Sequence, residues 1–231
     1  MKKKKVAILS GAGISAESGI MTFRDAGGLW EGYDVQEVAS PQGWNKNQEL
    51  VLDFYNQRRR QLKEVHPNLA HEEIKRLELK YDVVVITQNI DDLHERAGST
   101  NVIHLHGELR KVRSVADESL ISYTEGDILL GDLAADGQQL RPHIVWFGEM
   151  VPMLEKAALE VTNSDIIIIV GTSMQVYPAA GLVSYASNDA QIYYVDPKPH
   201  ISHELMLQKK LQVIESKATV GIPRIVNDLL S

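Results

Sequence analysis

An apolar run, Val6-Ala7-Ile8-Leu9, stops abruptly at Ser10-Gly11-Ala12-Gly13. No other stretch constrains the chain as much. A strand that exits into closely spaced glycines brings bare backbone N–H groups against a phosphate. Gly11 and Gly13 carry no Cβ to block a pyrophosphate or to forbid positive φ. With Ala16 the spacing reads G-x-G-x-x-A, a permitted variant of the dinucleotide fingerprint. Alone the pattern is weak, because a plain turn accounts for it equally well. Two features separate it from a dehydrogenase site. The acidic residue that usually closes a second strand about twenty positions on is missing. In its place Phe23-Arg24-Asp25-Ala26-Gly27-Gly28-Leu29-Trp30 reads as a flap carrying an aromatic and an arginine. A dinucleotide held under such a flap points to chemistry other than hydride transfer.

Further along, short apolar runs predict strands at Val6–Leu9, Asp82–Thr87, Val102–Leu105, Ile144–Phe147, Asp165–Gly171, Gln191–Val195 and Leu211–Ile214. Most lack strict alternation, as strands covered on both faces do. Helical patterns lie between many of them, at Glu49–Val65, Asn68–Lys80, Leu154–Thr162, Ala179–Ala186 and Val220–Leu230. Strands alternating with helices predict an α/β fold with a doubly wound, mostly parallel, Rossmann-like sheet. Ligands of such sheets bind at the carboxyl ends of the strands. The loops Gln88-Asn89-Ile90-Asp91, Gly171-Thr172-Ser173 and Asp196-Pro197 are therefore expected to meet Gly11–Ser15 in one crevice.

Two stretches break the alternation, Asp25 to Glu64 and the polar Glu108 to Arg141. The expected organisation is one catalytic unit over 1–231. A large domain takes about 1–24, 66–107 and 142–231, and a small module is inserted at about 25–65 and 108–141. The net charge of −7 argues against a nucleic-acid-binding surface. The absence of cysteine excludes disulfides, thiolate zinc sites and a cysteine nucleophile. No apolar run approaches the roughly 18 residues of a membrane span. Lys2 to Lys5 are basic, but Val6–Leu9 is too short for a signal-peptide core. A cytoplasmic monomer with no membrane or nucleic-acid partner is the expectation.

Taken bare, several candidate residues have ordinary structural explanations. Asn89 and Asp91 suit a strand-end turn. Thr172 or Ser173 suits a helix N-cap. In helix Glu49–Val65, Val51, Phe54, Tyr55, Leu62 and Val65 mark one apolar face, and Arg58 falls on it. A buried arginine needs an anionic partner or must reach the rim. Tyr55 and Arg58 are helical neighbours, while Arg59 and Arg60 point elsewhere and are expected to be solvated.

In order along the chain, GAGISAESGI-x-TFR, TQNID, HLHGEL, RPHIVWFGE, GTS and V-D-P resemble the sirtuins, NAD-dependent protein lysine deacylases. The resemblance runs from about Val6 to Leu230, and six ordered motifs are far more specific than one glycine pattern. It implies acyl transfer from lysine to ADP-ribose with release of nicotinamide. His106 matches the general base, and histidine suits the role because its ordinary pKa lies near neutrality. His104, two residues earlier, is expected to be a packed or surface histidine. Asn89 would hold the ribose and an attacking water. Gln88 and Asp91 would line the nicotinamide pocket, with Asp92 solvated. Gly11, Ala12, Gly13, Ser15, Ala16 and Arg24 would lie along the NAD, with Phe23 shielding the reactive ribose carbon. Gly171, Thr172, Ser173, Asp196 and Ala218 would complete the dinucleotide site. Asp196 can accept two ribose hydroxyls and would repel a 2′-phosphate, favouring NAD over NADP.

On the substrate side, Val145 would accept the acyl-lysine amide N–H and Phe147 would wall the lysine tunnel, by strand addition of the peptide. Tyr55-x-x-Arg58 looks like the pair of the bacterial-type subgroup that removes succinyl and malonyl groups, where an arginine fork meets the acyl carboxylate. Ala16 fits that subgroup by leaving room for the acyl chain. The chain departs from the family between Glu108 and Arg141, where most sirtuins carry a four-cysteine zinc knob. Ser114 and Asp117 fall near the first pair's positions. No structural zinc is expected, and Leu120, Ile121, Tyr123, Ile128, Leu129, Leu130 and Leu133 are expected to hold the module together. Succinyl or malonyl, with acetyl, are the expected acyl groups on protein or peptide partners. An ADP-ribosyltransferase or NAD glycohydrolase on the same scaffold is the alternative, and a non-catalytic NAD-binding protein a third.

Overall fold

The computed structural model describes residues 3–21, 29–30 and 32–231. Strand β1 (Lys5–Ser10) leads into two 3-10 turns, Ala12–Ile14 and Ala16–Ser18. A small hairpin follows, β2 (Leu29–Trp30) with β3 (Tyr33–Asp34), and then helices α1 (Val35–Val38), α2 (Pro41–Lys46), α3 (Gln48–Leu62) and α4 (Leu69–Arg76). Next come β4 (Asp82–Thr87), α5 (Leu93–Arg96), β5 (Val102–His104), β6 (Gly107–Ser114), β7 (Ile121–Tyr123) and β8 (Leu140–Ile144). The chain ends with α6 (Leu154–Thr162), β9 (Ile166–Val170), β10 (Gln191–Asp196), α7 (His203–Met206), β11 (Leu211–Glu215) and α8 (Ala218–Leu230). Among the described residues no helix is long and apolar enough to cross a membrane.

Six parallel strands form the main sheet in the order β11-β10-β9-β1-β4-β5. The first strand is central, and the chain winds outward first to one side and then to the other. This is the doubly wound Rossmann-like order, with its switch point between β1 and β9. The continuous apolar runs are explained by burial on both faces. Ala7, Leu9, Val84, Ile167 and Ile169 face a core with Ala157 and Val161 of α6. Val6, Ile8, Val85 and Ile168 face the other, with Ile74 of α4 and Ile222 and Val226 of α8.

The small module holds an antiparallel sheet, β7-β6-β8. Its core joins Phe54, Tyr55 and Leu62 of α3 to Val112, Ile144 and Trp146. The strand expected at Ile144–Phe147 instead ends at Ile144 and belongs to this sheet. Val145 N–H donates to the His106 carbonyl and Phe147 N–H to that of Ala39, so no single neighbour continues the ladder. The region expected as helix Ala179–Ala186 is a 3-10 helix, Ala179–Tyr185.

What holds the module together also differs from expectation. Of the seven apolar residues named for it, Ile128 is buried, while Ile121, Tyr123, Leu129, Leu130 and Leu133 are exposed and Leu120 is half-buried. Arg59, expected in solvent, is only 2 % exposed. Its guanidinium donates to the carbonyls of Leu109 and Gly126, both at 3.0 Å, and to Asn56 Oδ1 at 2.7 Å. Asn56 in turn pairs with both backbone groups of Ile128. Helix α3 therefore fastens the loop that follows β7 through that loop's backbone. Ser114 and Asp117 form a turn in which the Ser114 hydroxyl donates to Asp136 at 2.6 Å and accepts from Asp117 N–H. Arg60 does lie in the open, on Asp127 and Asp53. Arg59→Met is expected to cost about 2–4 kcal/mol in urea unfolding by stranding buried acceptors, and Arg60→Met under about 0.5 kcal/mol. Equal costs would contradict the assignment.

Candidate active site

The glycine loop is built by contact before it can serve any ligand. Gly11 N–H donates to Val170 O at 3.1 Å and Gly13 N–H to Gly171 O at 2.8 Å. A Cβ on Gly11 would lie 2.8 Å from Gly171 O, and one on Gly13 would lie 2.7 Å from Gly171 Cα. Gly171 itself has φ of +62°, and a Cβ there would lie 2.2 Å from Ile14 N. The three glycines thus let the loops after β1 and β9 touch backbone to backbone across the switch point. This corrects the simplest reading of the motif: the N–H groups of Gly11 and Gly13 are already bonded inside the protein. Their role is to bring the turn Ala12–Ile14 and the half-exposed Ala12 to the crevice floor.

The second wall is the loop after β4. Its four consecutive carbonyls are all taken. Leu105 N–H bonds Thr87 O at 2.9 Å, His106 Nδ1 bonds Gln88 O at 3.0 Å, His104 Nδ1 bonds Asn89 O at 3.1 Å, and Leu109 N–H bonds Ile90 O at 2.8 Å. The side chains then turn toward the glycine loop. Asn89 Nδ2 donates to Ser15 Oγ at 3.2 Å, and Ser15 Oγ donates to Asp91 Oδ2 at 3.0 Å. Asn89 and Asp91 are each 7 % exposed. Burial pushes the Asp91 carboxyl up to about 6, against the hydrogen bonds from Leu93 N–H and Ser15. Asp92 pairs with Arg110 at 2.8 Å instead of standing in solvent.

A carbonyl can only accept, so the His106 Nδ1 bond to Gln88 O places the proton on Nδ1 and leaves the Nε2 lone pair available. Burial holds the His106 pKa below the ordinary histidine value, against the smaller opposing pull of the Gln88 carbonyl. This histidine is neutral and of fixed tautomer near neutral pH, as a proton acceptor must be. Opposite it, Gln88 Nε2 donates to Thr172 Oγ1 at 3.1 Å, tying this loop to the one after β9. Ser173 is half-buried beside it. Asp196 ends β10 at 3 % exposure, and Ala218 begins α8 at 3 %.

Toward the small module, Arg58 lines a cavity of about 50 Å³ together with Ile20, Ile90 and Asp91. Its guanidinium lies over the Phe54 ring at 3.9 Å and donates to Phe54 O. Tyr55 is fully buried, and its hydroxyl accepts from Trp146 Nε1 at 3.1 Å. Burial raises the Tyr55 pKa, so the phenol keeps its proton. Ala16 is exposed at the end of the glycine loop. Val145 is half-buried, and Phe147 stands 43 % exposed. Glu149 fixes this segment by accepting from Trp146 N–H at 2.8 Å and from Arg141 at 2.7 Å. A larger cavity, about 530 Å³, lies at the other end of the sheet among Lys4, Asp165 and Gln191, away from all of these groups. Phe23 and Arg24 lie outside the described residues.

Sequence reasoning missed two pieces of support. Ser10 Oγ shares a 3.0 Å hydrogen bond with His94 Nε2 directly beneath the glycine loop. His94 meets His71 edge to face at 4.9 Å, and burial pushes the His71 pKa down to about 4. His71 falls in the expected helix Asn68–Lys80 and His94 in no expected element, so neither carries a signal of its own. Glu95, His104 and Glu108 bring their ligand-type atoms within 4.8 Å of one another. Both ring nitrogens of His104 face acceptors, however, and Lys111 pairs with Glu108. The cluster is a network of ion pairs.

The class defined so far is a doubly wound α/β protein with a dinucleotide crevice at its switch point and a neutral histidine beside it. A match to the Sir2 family covers residues 11–178. The chain is 57% identical over 227 residues to the NAD-dependent protein deacylase of Helicobacter pylori, covering 98% of each. It is 50% identical over 225 residues to that of Bacteroides thetaiotaomicron, covering 95% of each. A solved Sir2 homolog–NAD complex superposes with a TM-score of 0.85 at 39% identity, over 99% of this chain and 91% of that one. Sir2 bound to an acetylated peptide superposes with a TM-score of 0.79 at 28% identity, over 97% and 92%. The chain belongs to the Sir2 family.

The buried Asp91 carboxyl has a testable signature. A carboxyl raised in the folded state binds its proton more tightly folded than unfolded, so its contribution falls as pH rises through the window between about 4 and about 6. The stability gap between wild type and Asp91→Asn is expected to widen in favour of wild type by about 2 kcal/mol from about pH 7.5 to about pH 4. Urea unfolding at the two pH values checks it, and a constant gap would contradict it.

Proposed function

We propose that this chain is an NAD-dependent protein-lysine deacylase that accepts acidic acyl groups, succinyl and malonyl, as well as acetyl. When bound, NAD supplies the ribose carbon that receives the acyl oxygen as nicotinamide leaves. The residues present suit that co-substrate. Gly11, Gly13 and Gly171 draw the loops after β1 and β9 together at the crevice floor with no side chain between them, and Asp196 is a buried carboxylate at the end of the neighbouring strand, placed for ribose hydroxyls. The observation that carries the reading is His106, whose Nδ1–H is committed to Gln88 O. Its Nε2 is free to take a proton from a ribose hydroxyl and to return it.

The other roles follow from position. Asn89, tied to Ser15, holds the ribose side of the pocket. Asp91, buried and held by Ser15, faces the nicotinamide side of the pocket. Ala12, Ser15, Ala16, Gln88, Thr172, Ser173 and Ala218 line the remainder of the dinucleotide, and Phe23 and Arg24 complete its cover by resemblance. Val145 and Phe147 receive the substrate backbone and the lysine stem, on a segment that Glu149 and Arg141 hold rigid. The deacylase names of the relatives from Helicobacter pylori and Bacteroides thetaiotaomicron support the same reading.

Support for acidic acyl groups comes from Arg58. Its guanidinium lines the small cavity next to Asp91 at 7 % exposure, where a carboxylate would find a charge-assisted, poorly hydrated partner. Tyr55 belongs to the acyl pair by resemblance, and its hydroxyl accepts from Trp146 Nε1. Arg58→Met is expected to lower kcat/KM for a succinyl-lysine peptide by about 100-fold and for an acetyl-lysine peptide by under about threefold, because only the former loses a charged hydrogen bond. Equal losses would make Arg58 a packing residue and remove the acyl preference. His106→Asn is expected to lower kcat by about 10²–10⁴-fold with either peptide, while NAD binding persists. Full activity in that variant would contradict the assignment of the base.

A further inference from the structure

We propose that His104, clamped between Glu95 and the Asn89 carbonyl, is a positioning residue for dinucleotide binding. It sets the loop Gln88–Asp91 through the backbone of Asn89 and touches no substrate atom. The reading of the crevice as an NAD site underlies this inference. The parallel ladder between β4 and β5 ends at the pair Thr87 and His104. Beyond that pair the next two carbonyls, of Gln88 and Asn89, are met by side chains instead of by a strand backbone. Two side chains continue the ladder: His106 takes Gln88 O and His104 takes Asn89 O. Identical side chains two residues apart thus grip consecutive carbonyls, yet their second nitrogens differ. His106 leaves Nε2 open. His104 commits Nε2 to Glu95 Oε1 at 2.6 Å, with Glu108 Oε1 at 3.8 Å.

Both partners of His104 are acceptors, so both ring nitrogens must donate, and the ring in this arrangement is an imidazolium. A neutral ring has one N–H for two acceptors. Given to Glu95, that proton leaves the Nδ1 lone pair facing the Asn89 carbonyl, and the contact becomes repulsive. The position of Asn89 is then no longer fixed, and with it the bonds Asn89 Nδ2–Ser15 Oγ and Ser15 Oγ–Asp91 Oδ2. The charged groups around the ring are Glu95 and His94 on α5, Glu108 on β6, Asp91 in the loop, and Lys111, which pairs with Glu108. Burial opposes the charge on His104. The hydrogen bond and charge of Glu95, the Asn89 carbonyl and Glu108 overcome it and hold the pKa above the ordinary value. The dinucleotide site is therefore expected to loosen on the alkaline side through a residue that is not the general base.

Glu95→Gln tests this while sparing the fold, because Glu95 is an exposed residue on a short helix. The measurement is calorimetric affinity for ADP-ribose, which needs no turnover, at about pH 6 and about pH 9.5, the upper value well above the ordinary histidine pKa. Wild type is expected to bind about five- to tenfold more weakly at the higher pH. Glu95→Gln, whose amide N–H can donate to a neutral Nε2 and so leave Nδ1–H on the Asn89 carbonyl, is expected to bind nearly equally at both. His104→Leu is expected to bind weakly at both. The KM for NAD should rise in parallel, with the peptide KM unchanged. If Glu95→Gln titrates like wild type, or if folded His104→Leu binds normally, the proposal fails and the NAD-site reading stands. A wild type that binds no ADP-ribose overturns both.

Discussion

The whole arrangement rests on one steric fact, the contact of Gly11 and Gly13 with Gly171 across the gap between β1 and β9. In a doubly wound sheet the loops on either side of the switch point part company, and the crevice between them is the ligand site. Here the crevice floor is drawn tight by backbone bonds from Gly11 to Val170 and from Gly13 to Gly171. Any side chain at these positions would meet backbone atoms at under 3 Å. The fixed floor gives Ser15 a defined place, Ser15 orients Asp91 and Asn89, and Gln88 reaches back to Thr172. The chemistry of the site is a consequence of this backbone contact.

Around that floor the protein uses the same residue type in opposite electrical states. His106, buried with one acceptor, stays neutral, with its pKa held below the ordinary value. His104, with two acceptors of which one is a carboxylate, carries a charge. His94 and His71 lie deeper and are driven neutral by burial. What decides each case is the number of acceptors within reach, weighed against the cost of removing a charge from water. The small module follows a similar logic. There a buried arginine and an asparagine on α3 gather carbonyls from Leu109, Gly126 and Ile128.

Much of this was legible in the amino-acid order. The runs around Ile8, Val85 and Ile168 announce doubly covered strands, and their alternation with helices announces the parallel sheet. The motif residues after β1, β4 and β9 meet in one crevice because parallel strands share one carboxyl edge. Other parts were hidden for definite reasons. Arg59 was expected in water because helical spacing locates the apolar face and says nothing about a second surface packed on its flank. Leu129, Leu130 and Leu133 were expected inside because composition cannot tell a core leucine from one on an exposed turn. The segment Val145–Phe147 has the letters of a strand, but Glu149 folds the chain back onto Trp146 N–H. Gly11 and Gly13 signalled the right place for an incomplete reason, since their own N–H groups are spent within the fold.

In the proposed function the histidine, the amide loop and the glycine floor together move an acyl group from lysine onto ADP-ribose. Mass spectrometry of all products from an acyl-lysine peptide and NAD tests it most directly. The expected products are one nicotinamide and one free lysine per turnover, with the acyl mass recovered on ADP-ribose. Plain ADP-ribose in solution, or ADP-ribose attached to protein, with the peptide still acylated would contradict it.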